Sequence, residues 1–319
     1  MNTGEKHLVA PGHRACSGCG LLLGARLAAD ATGGDVVMAN ATGCLEVTTT
    51  AYPESAWRVP WIHSVFGNAA AVASGVRAAL RARGVDAPVV AQAGDGGTSD
   101  IGLQALSGML ERGDDVLFIC YDNEGYMNTG VQRSGLTPPD AATTTTPSGR
   151  LSEGNAHLKK DLVSIVLAHQ PAYVATAAPS FHRDLQRKMT RALSIRGPKY
   201  LHVLVPCPLG WRYDPRLTVS IGRLAVKSNL FPLAEWEGGD LVSVKRIAHP
   251  VPVEDYLRPQ GRFGHLFRDE QGEIERSFIQ AIADENARRL GLRAFTPTWH
   301  PSMGAPLATT RLSDAQEGG

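Results

Sequence analysis

The chain has 319 residues, of which 43% are hydrophobic and 20% are charged, as in soluble globular proteins. A formal net charge of +1 provides no basic surface for nucleic acid, and no apolar run is long enough to span a membrane. The first residues, MNTGEKHLVAPGHRAC, lack the apolar core of a signal peptide, so we expect a cytoplasmic protein.

The predicted elements before residue 88 alternate between helix and strand. After a polar arm over residues 1–15, the Ala/Leu-rich stretch 21–31 predicts a helix. A strand is expected over 36–40 and an alanine-rich helix over about 68–83. Between them, the proline- and tryptophan-containing segment 52–62 is expected to be irregular.

Residues 88–130 predict a βαβ unit around which the rest of the chain is organised. An apolar run at 88–93 ends in glycines, apolar residues follow at helical spacing, and a β-rich run at 116–121 leads to Asp122-Asn123. A right-handed crossover brings the carboxyl ends of the two strands together. We therefore expect Asp95 and Asn123 to lie close in space.

These two strand ends carry oxygen ligands. A carboxylate from Asp95, an amide oxygen from Asn123 and a backbone carbonyl of the 123–125 turn form part of an octahedron. Mg²⁺ prefers that arrangement when phosphate oxygens and water complete the shell. The sequence therefore predicts a magnesium and phosphate site at this edge of the sheet.

The glycine-rich turn supports the same interpretation. Gly94, Gly96 and Gly97 would let the backbone approach a phosphate without a Cβ, and a helix beginning near Ser99 would point its positive end there. The alternative is an ordinary βα turn in which Asp95 caps the helix. GDG alone is weak evidence, but GDG followed by asparagine at the end of the next strand is much more specific.

Past this unit the alternation continues and then fades beyond about residue 215. Helices are expected over 159–169 and 180–195, and strands over 172–177 and 200–205. Residues 250–319 are rich in Pro, Arg and Gly and should pack over their own domain or a neighbouring subunit. The aromatic anchors of that tail are Tyr256, Phe263, Phe267 and Trp299.

Five cysteines in a cytoplasmic protein favour metal or redox chemistry over disulfides. Cys16 and Cys19 form a CxxC pair, whereas Cys44 and Cys207 each follow a predicted strand, where loops gather at one edge of the sheet. Four thiolates there could hold zinc or a 4Fe-4S cluster, and the residues alone favour iron–sulfur modestly. Cys120 lies inside an apolar strand and is expected to be a buried core thiol.

The motifs resemble those of a known family. GDG followed by DNEGYMNTG is similar to the thiamine-diphosphate motif of 2-oxoacid:ferredoxin oxidoreductases, in particular the beta subunits of the pyruvate branch. The resemblance extends from GHRACSGCG to YLRPQGRFGHLF. It implies Mg²⁺ bound by Asp95, Asn123 and the carbonyl of Gly125, with Asn128 and Thr129 close to the reactive ring of thiamine diphosphate.

The resemblance also implies a fold and a cluster. The expected fold is α/β, a thiamine-diphosphate-binding domain over residues 1–249 with a mostly parallel sheet and helices on both faces, plus an irregular C-terminal extension over 250–319. CSGCG, TGC and PCPLGW match the family's ligand sites for a 4Fe-4S cluster, and their cysteines are Cys16, Cys19, Cys44 and Cys207. One position departs from the pattern, because Leu21 stands where members often have an acidic residue.

The implied activity is oxidative decarboxylation of a 2-oxoacid such as pyruvate to acyl-CoA and CO₂. Electrons would pass through iron–sulfur clusters to ferredoxin or a similar acceptor. The chain would be one subunit of a hetero-oligomer, in which an alpha subunit supplies the glutamate that activates the cofactor. Gamma and ferredoxin-like delta subunits, or equivalents, would carry further clusters.

Other interpretations remain open. An aryl 2-oxoacid such as phenylglyoxylate, or oxalate, would use the same cofactors, and a non-oxidative thiamine-dependent decarboxylase or a zinc-binding structural subunit are alternatives of another class. His63 is a candidate for a substrate contact, against a core residue as the commoner role of a histidine beside aromatic residues. Arg14, Arg58 and Arg133 are candidates for binding a substrate carboxylate, against surface arginine as the commoner role.

The loop 137–151 has two interpretations of equal weight. It is either solvated or, as in the family, it borders the diphosphate with its threonines.

Overall fold

Parallel β-structure forms the centre of the computed structural model, which describes residues 7–150 and 152–292. The strands are β1 (Val37–Ala41), β2 (Trp61–Ser64), β3 (Val89–Gly94), β4 (Leu117–Asp122), β5 (Ser148–Gly149), β6 (Ser152–Glu153), β7 (Tyr173–Ala177), β8 (Lys199–Leu204), β9 (Ala234–Glu237) and β10 (Asp240–Val244). The helices are α1 (Gly20–Asp30), α2 (Cys44–Thr49), α3 (Ala69–Ala82), α4 (Asp95–Ser99), α5 (Leu103–Glu111), α6 (Leu162–Leu167), α7 (His182–Ser194), α8 (Pro208–Trp211), α9 (Thr218–Lys227), α10 (Val253–Leu257) and α11 (Glu270–Arg289).

The main sheet has eight strands in the order β10-β9-β7-β8-β4-β3-β1-β2. The six strands from β7 to β2 in that order pair in parallel, and β9 and β10 add antiparallel strands at one edge. Strands β4, β7 and β8 are buried along their whole length, because helices cover both faces of the sheet. The predicted mostly parallel α/β fold is confirmed.

Each face of the sheet has its own apolar core. On one face α1 and α7 pack against the strands, with Leu22, Ala25, Leu185 and Met189 buried. On the other face, α3, α5 and α6 bury alanines, Leu106 and other aliphatic side chains. This sandwich leaves the carboxyl ends of the parallel strands free for loops.

Most of the predicted helices and strands lie within a few residues of their observed bounds, with two informative differences. The helix expected over 159–169 is only Leu162–Leu167, because Asp161 caps it by accepting the Ser164 N–H at 3.1 Å. The helix expected from Ser99 begins at Asp95 instead and ends at Ser99, and α5 begins at Leu103.

The extension after residue 249 contains more regular structure than the sequence analysis identified. It includes the 20-residue helix α11, whose narrow buried side contains small residues such as Ala283 and Ala287. The sequence therefore shows no apolar stripe from which this helix could be predicted. Tyr256 and Phe263 are buried against Trp211 in a third core. Trp299 lies outside the described residues, and the division at residue 249 stays a prediction. Among the described helices none has the length and apolar character needed to cross a membrane.

Candidate functional site

The carboxyl ends of β3 and β4 meet as the sequence predicts. The two strands pair in parallel with Gly94 opposite Tyr121, so Asp95 and Asn123 leave the sheet side by side. Both residues are buried, at 1% and 6% exposure. Their proximity is confirmed.

Three oxygens converge at this point. The terminal amide atom of Asn123 that faces Asp95 lies 3.0 Å from Oδ1 of Asp95 and 2.8 Å from the carbonyl oxygen of Gly125. In the structure this atom is the amide oxygen, so the three oxygens face one another with no hydrogen between them, whereas a turned amide would donate to both. Octahedral Mg²⁺ binds oxygen at about 2.0–2.1 Å, which puts neighbouring ligands about 3 Å apart. With the amide oxygen of Asn123 facing Asp95, the donor set therefore fits a magnesium ion in both chemistry and spacing.

The surroundings of Asp95 also suit a cation. Its Oδ2 accepts a hydrogen bond from Ser134 Oγ at 2.5 Å. Burial, together with the nearby charge of Asp122, raises the pKa of Asp95 well above its usual value. A divalent cation beside the carboxylate would reverse that shift. The alternative in which Asp95 caps the helix is wrong, because Gly94 is the N-cap of α4 and Asp95 is its first residue.

The three glycines of the GDGG turn have different surroundings. A Cβ added to Gly94 would meet no atom within 4 Å. A Cβ on Gly96 would overlap the ring of Tyr126, and one on Gly97 would lie 3.3 Å from Cε2 of Phe66. Only Gly94 of the three faces open space that a phosphate could use. Packing of the neighbouring loop explains Gly96, which the sequence analysis had assigned to phosphate approach.

A buried chain of charges, which the sequence analysis missed, lies directly behind the oxygen triad. Asp122 accepts from Lys159 Nζ at 2.6 Å and from His202 Nε2 at 2.8 Å. Burial alone would raise the pKa of Asp122, but these two partners lower it to about 2. Glu124 binds Lys159 Nζ at 2.8 Å and Arg262 Nη2 at 2.6 Å. The signal in the sequence was two acidic residues flanking Asn123 at the end of an apolar strand.

The four candidate cluster cysteines share one region. Their loops follow β1 and β8, which lie on either side of β3 and β4, and the CxxC turn before α1 joins them. The N–H of Gly20 donates to the carbonyl of Pro206 at 3.1 Å, and Thr218 Oγ1 donates to the carbonyl of Gly18 at 2.7 Å. The first bond fastens the CSGCG turn to the PCPLGW turn, and the second fastens it to the first residue of α9.

The thiols lie within electrostatic range of one another. Burial raises the pKa of Cys19 to about 11 and that of Cys44 to about 12, and Cys207 and Cys16 add to both shifts. The Sγ of Cys19 accepts the N–H of Leu22 at 3.4 Å, and the Sγ of Cys207 accepts that of Gly210 at 3.4 Å. Cys120 is fully buried in β4, which confirms the expected core thiol.

No three His, Cys, Asp or Glu side chains within residues 7–150 and 152–292 are gathered around a point that could hold one metal ion. A tetrahedral zinc site needs its sulfurs about 4 Å apart, since Zn–S bonds are about 2.3 Å long. A cluster needs a wider spacing, because irons and sulfides lie between the ligands. Leu21, the departure from the family pattern, lies in α1 and is buried in the core.

The two candidate centres are joined by one side chain. Trp211, in the turn that carries Cys207, is fully buried and donates its Nε1–H to the carbonyl of Asn123 at 2.7 Å. Gly210 lies between Met127 and Cys207, and a Cβ there would be 3.5 Å from the Cys207 Sγ. The DNEGYM and PCPLGW segments thus pack directly against each other.

The remaining candidates lie at the open rim of the site. Asn128 and Thr129 are exposed, and Thr129 Oγ1 donates to Gln132 Oε1 at 2.5 Å. In the 137–151 loop, Thr144 Oγ1 donates to the carbonyl of Gly130 at 2.9 Å and Thr145 Oγ1 accepts the N–H of Arg133 at 2.9 Å. At least these two threonines hydrogen-bond the neighbouring loop of the same chain.

The other candidates for substrate contact belong to different segments of the chain. His63 is 43% exposed in its side chain and lies 2.8 Å from Thr42 Oγ1, so the core role is wrong for it. Arg14 and Arg58 are exposed, and Arg133 Nε donates to Asn155 Oδ1 at 2.8 Å. The structure does not bring these three arginines together with the oxygen triad through any hydrogen bond among the described residues.

Comparisons with known proteins identify the family that this chain resembles. Residues 41–203 match the family model described as thiamine pyrophosphate enzyme, C-terminal TPP binding domain. The chain is 53% identical over 300 residues to pyruvate synthase subunit PorB of Methanocaldococcus jannaschii, covering 92% of this chain and 99% of that protein. It is 42% identical over 286 residues to ketoisovalerate oxidoreductase subunit VorB of Pyrococcus furiosus, covering 86% and 91% respectively.

A solved structure supports the fold. The chain superposes with a TM-score of 0.54 on 2-oxoglutarate:ferredoxin oxidoreductase from Magnetococcus marinus, solved with 2-oxoglutarate, coenzyme A and succinyl-CoA bound. The match covers 86% of this chain and 96% of that chain, at 20% sequence identity. At that identity the likeness concerns the fold alone.

Proposed function

The chain belongs to the PorB-type subunits of the 2-oxoacid oxidoreductases, within the thiamine pyrophosphate enzymes, and we propose that it binds thiamine diphosphate, Mg²⁺ and a 4Fe-4S cluster. The substrate we propose is pyruvate, because the pyruvate synthase relative is 53% identical and the ketoisovalerate relative 42%. The reaction would convert the 2-oxoacid and coenzyme A to acyl-CoA and CO₂. Its electrons would pass through iron–sulfur clusters to ferredoxin or a similar acceptor.

One observation carries the proposal: Asn123, whose side chain belongs to the oxygen triad, accepts at its backbone carbonyl a hydrogen bond from Trp211 in the turn that bears Cys207. Asp95, Asn123 and the carbonyl of Gly125 would hold Mg²⁺, and the open space at Gly94 would admit the diphosphate. When bound, thiamine diphosphate supplies the carbon nucleophile and the electron sink for decarboxylation. A cluster one turn away in the same chain makes a short route for the electrons.

The chain's own residues orient these ligands. Ser134 fixes the carboxylate of Asp95 by donating to Oδ2, and Trp211 fixes the carbonyl of Asn123, so the amide of Asn123 keeps its place between two other oxygens. The N–H groups of Leu22 and Gly210 donate to the sulfurs of Cys19 and Cys207. Hydrogen bonds to cluster sulfurs shift a reduction potential, so these two bonds would tune the cluster.

The site is open on the side where Asn128 and Thr129 lie, which suits a shared active site. Both residues are exposed. We assign this rim to an alpha subunit that supplies the activating glutamate. Further subunits with ferredoxin-like clusters would complete the assembly, so the isolated chain should turn over little.

The decisive experiment is an analysis of iron, zinc, magnesium and thiamine in the native complex purified without oxygen, with its visible spectrum. We expect one thiamine diphosphate and about four irons for this chain's cluster, beyond those of other subunits. A Cys207→Ala complex should lose those irons, whereas the matched Cys120→Ala complex should keep them, because Cys120 is buried in β4 away from the other thiols.

The alternatives give different results. Thiamine diphosphate with no iron lost in Cys207→Ala would contradict the cluster and favour a non-oxidative decarboxylase. Zinc at these cysteines without thiamine would contradict both halves and favour a structural subunit. Turnover of phenylglyoxylate or oxalate in preference to pyruvate would correct the substrate while leaving the cofactors in place.

A further inference from the structure

We propose that Arg262, in the C-terminal extension, is a positioning residue for the magnesium-binding loop, acting through Glu124; the inference rests on the proposed function. Arg262 is far from Asn123 in the sequence, and it reaches the site through Glu124 and through Trp211, which belong to two separate segments. The extension would therefore complete the cofactor site rather than only cover the core.

Glu124 stands between two of the proposed magnesium ligands, Asn123 and Gly125. Its backbone φ is 66°, in the left-handed region that non-glycine residues seldom adopt. Its carboxylate is 7% exposed and is held by Lys159 on one oxygen and Arg262 on the other. Because a residue in this conformation persists only where its surroundings enforce it, these contacts decide how the two ligands are presented.

The backbone of Glu124 is fixed as well. Its N–H donates to Oδ1 of Asp122 at 3.0 Å, and its carbonyl accepts from Thr137 Oγ1 at 2.9 Å. Every hydrogen-bonding group of Glu124 thus has a partner. Arg262 is the partner that comes from outside the sheet and its loops.

The side chain of Arg262 is buried and held by several contacts. Its side chain is 2% exposed and its guanidinium lies 3.9 Å from the ring centroid of Trp211. Its Nε donates to Gln260 Oε1 at 2.9 Å, and Nη2 lies 3.3 Å from Tyr256 OH. Since Trp211 donates to the carbonyl of Asn123, Arg262 contacts residues that hold the magnesium loop from both sides.

Stability alone does not explain such an arrangement. The cost of removing two charges from water often exceeds their attraction, and apolar replacements of buried ion pairs are frequently neutral or stabilising. A planar fork that stacks on an indole while it binds a carboxylate fixes geometry, which a lysine at the same place cannot do. The chemistry of the pair therefore favours orientation of Glu124 as its role.

The test measures the Mg²⁺ concentration that gives half-maximal binding of thiamine diphosphate to the cation-depleted complex, by calorimetry, alongside the thermal midpoint without cation. Arg262→Met should raise that Mg²⁺ concentration about 10- to 100-fold, the usual effect of losing an outer-shell partner. Arg262→Lys should recover only part of the loss. The matched control is Lys188→Met, which removes a buried cation (2% exposed) that binds Asp184 and the carbonyl of Thr176.

The control should lower the thermal midpoint and leave the Mg²⁺ requirement unchanged. Arg262→Met that only lowers the midpoint, as the control does, would overturn the positioning role. If Arg262→Met does not fold, Glu124→Gln is measured in its place. An unchanged Mg²⁺ requirement in Glu124→Gln would likewise overturn the positioning role. A wild-type complex whose thiamine binding does not depend on Mg²⁺ would overturn the proposed function itself, and this inference with it.

Discussion

Replacing Gly96 by alanine should destabilise the cofactor-free protein, whereas replacing Gly94, two residues earlier, should hardly affect it. A Cβ on Gly96 overlaps the ring of Tyr126, while a Cβ on Gly94 meets no atom within 4 Å. The Tyr126 ring cannot simply swing away, because its hydroxyl donates to Oδ2 of Asp100 at 2.7 Å. The two glycines of one short turn should therefore differ in how strongly the same substitution destabilises the protein.

The magnitude follows from two opposing contributions. Overpacking costs about 1–3 kcal/mol, and the overlap with Tyr126 places Gly96→Ala at the upper end. Alanine is better than glycine inside a helix by about 0.5–1 kcal/mol, and Gly96 lies in α4. The net loss for Gly96→Ala is about 2 kcal/mol, and for Gly94→Ala, at the N-cap, under about 1 kcal/mol.

The assay is thermal unfolding without cation or cofactor, followed by titration with thiamine diphosphate at saturating Mg²⁺. Gly94→Ala should unfold near the wild-type temperature yet bind thiamine diphosphate about 5- to 100-fold more weakly, because its methyl group fills the space proposed for the diphosphate. Wild-type affinity in Gly94→Ala would refute the assignment of that space. Gly96→Ala combined with Tyr126→Ala should be less destabilised than the sum of the single changes.

Three further predictions concern the buried groups around the oxygen triad. Trp211→Phe removes the donor to the carbonyl of Asn123 and should cost about 1–3 kcal/mol in unfolding free energy, measured by denaturant titration; no loss would show that water replaces the bond. Ser134→Ala removes a donor to the charged form of Asp95, so the pKa of Asp95 rises further and a proton competes better with the cation. The Mg²⁺ concentration required for binding should therefore increase most in mildly acidic buffer, and an increase independent of pH would contradict this. Asp122 has a folded pKa of about 2, below its unfolded value, so the stability that it contributes is present above pH about 4 and is lost as pH falls towards 2, by roughly 2–3 kcal/mol. In Asp122→Asn the unfolding free energy should therefore fall less steeply with decreasing pH than in the wild type. Equal pH dependence of the two proteins would be the contrary result.

The parts of the fold that the sequence predicted are those fixed by local periodicity. The strands at 88–93 and 116–121 are mostly apolar because both of their faces are covered, and their ends place Asp95 beside Asn123 by topology alone. The cysteine motifs were equally visible, since a CxxC turn and two isolated cysteines after strands need no tertiary information to be noticed. For these features, residue order and chain direction were sufficient for a correct prediction.

The parts that were missed depend on contacts between distant segments. Arg262 is an ordinary arginine in an Arg-rich tail until Trp211 and Glu124 are seen around it, and Lys159 is one of two adjacent lysines. Gly96 looked like a phosphate-approach glycine because its sequence neighbours do not include the ring of Tyr126. Helix α11 was overlooked because Ala283 and Ala287 bury little apolar surface per turn.

The hydrogen bond from Trp211 to Asn123 has a thermodynamic consequence. If the turn of Cys207 holds a cluster and the turn of Asn123 a cation, the affinities of the two sites are coupled, because the indole of Trp211 orders both turns. By linkage, the factor by which a bound cluster tightens the cation site must equal the factor by which the cation tightens the cluster site. Oxidation of the cysteines would then raise the Mg²⁺ concentration needed to fill the cation site. Depletion of Mg²⁺ would in turn make the cluster easier to lose.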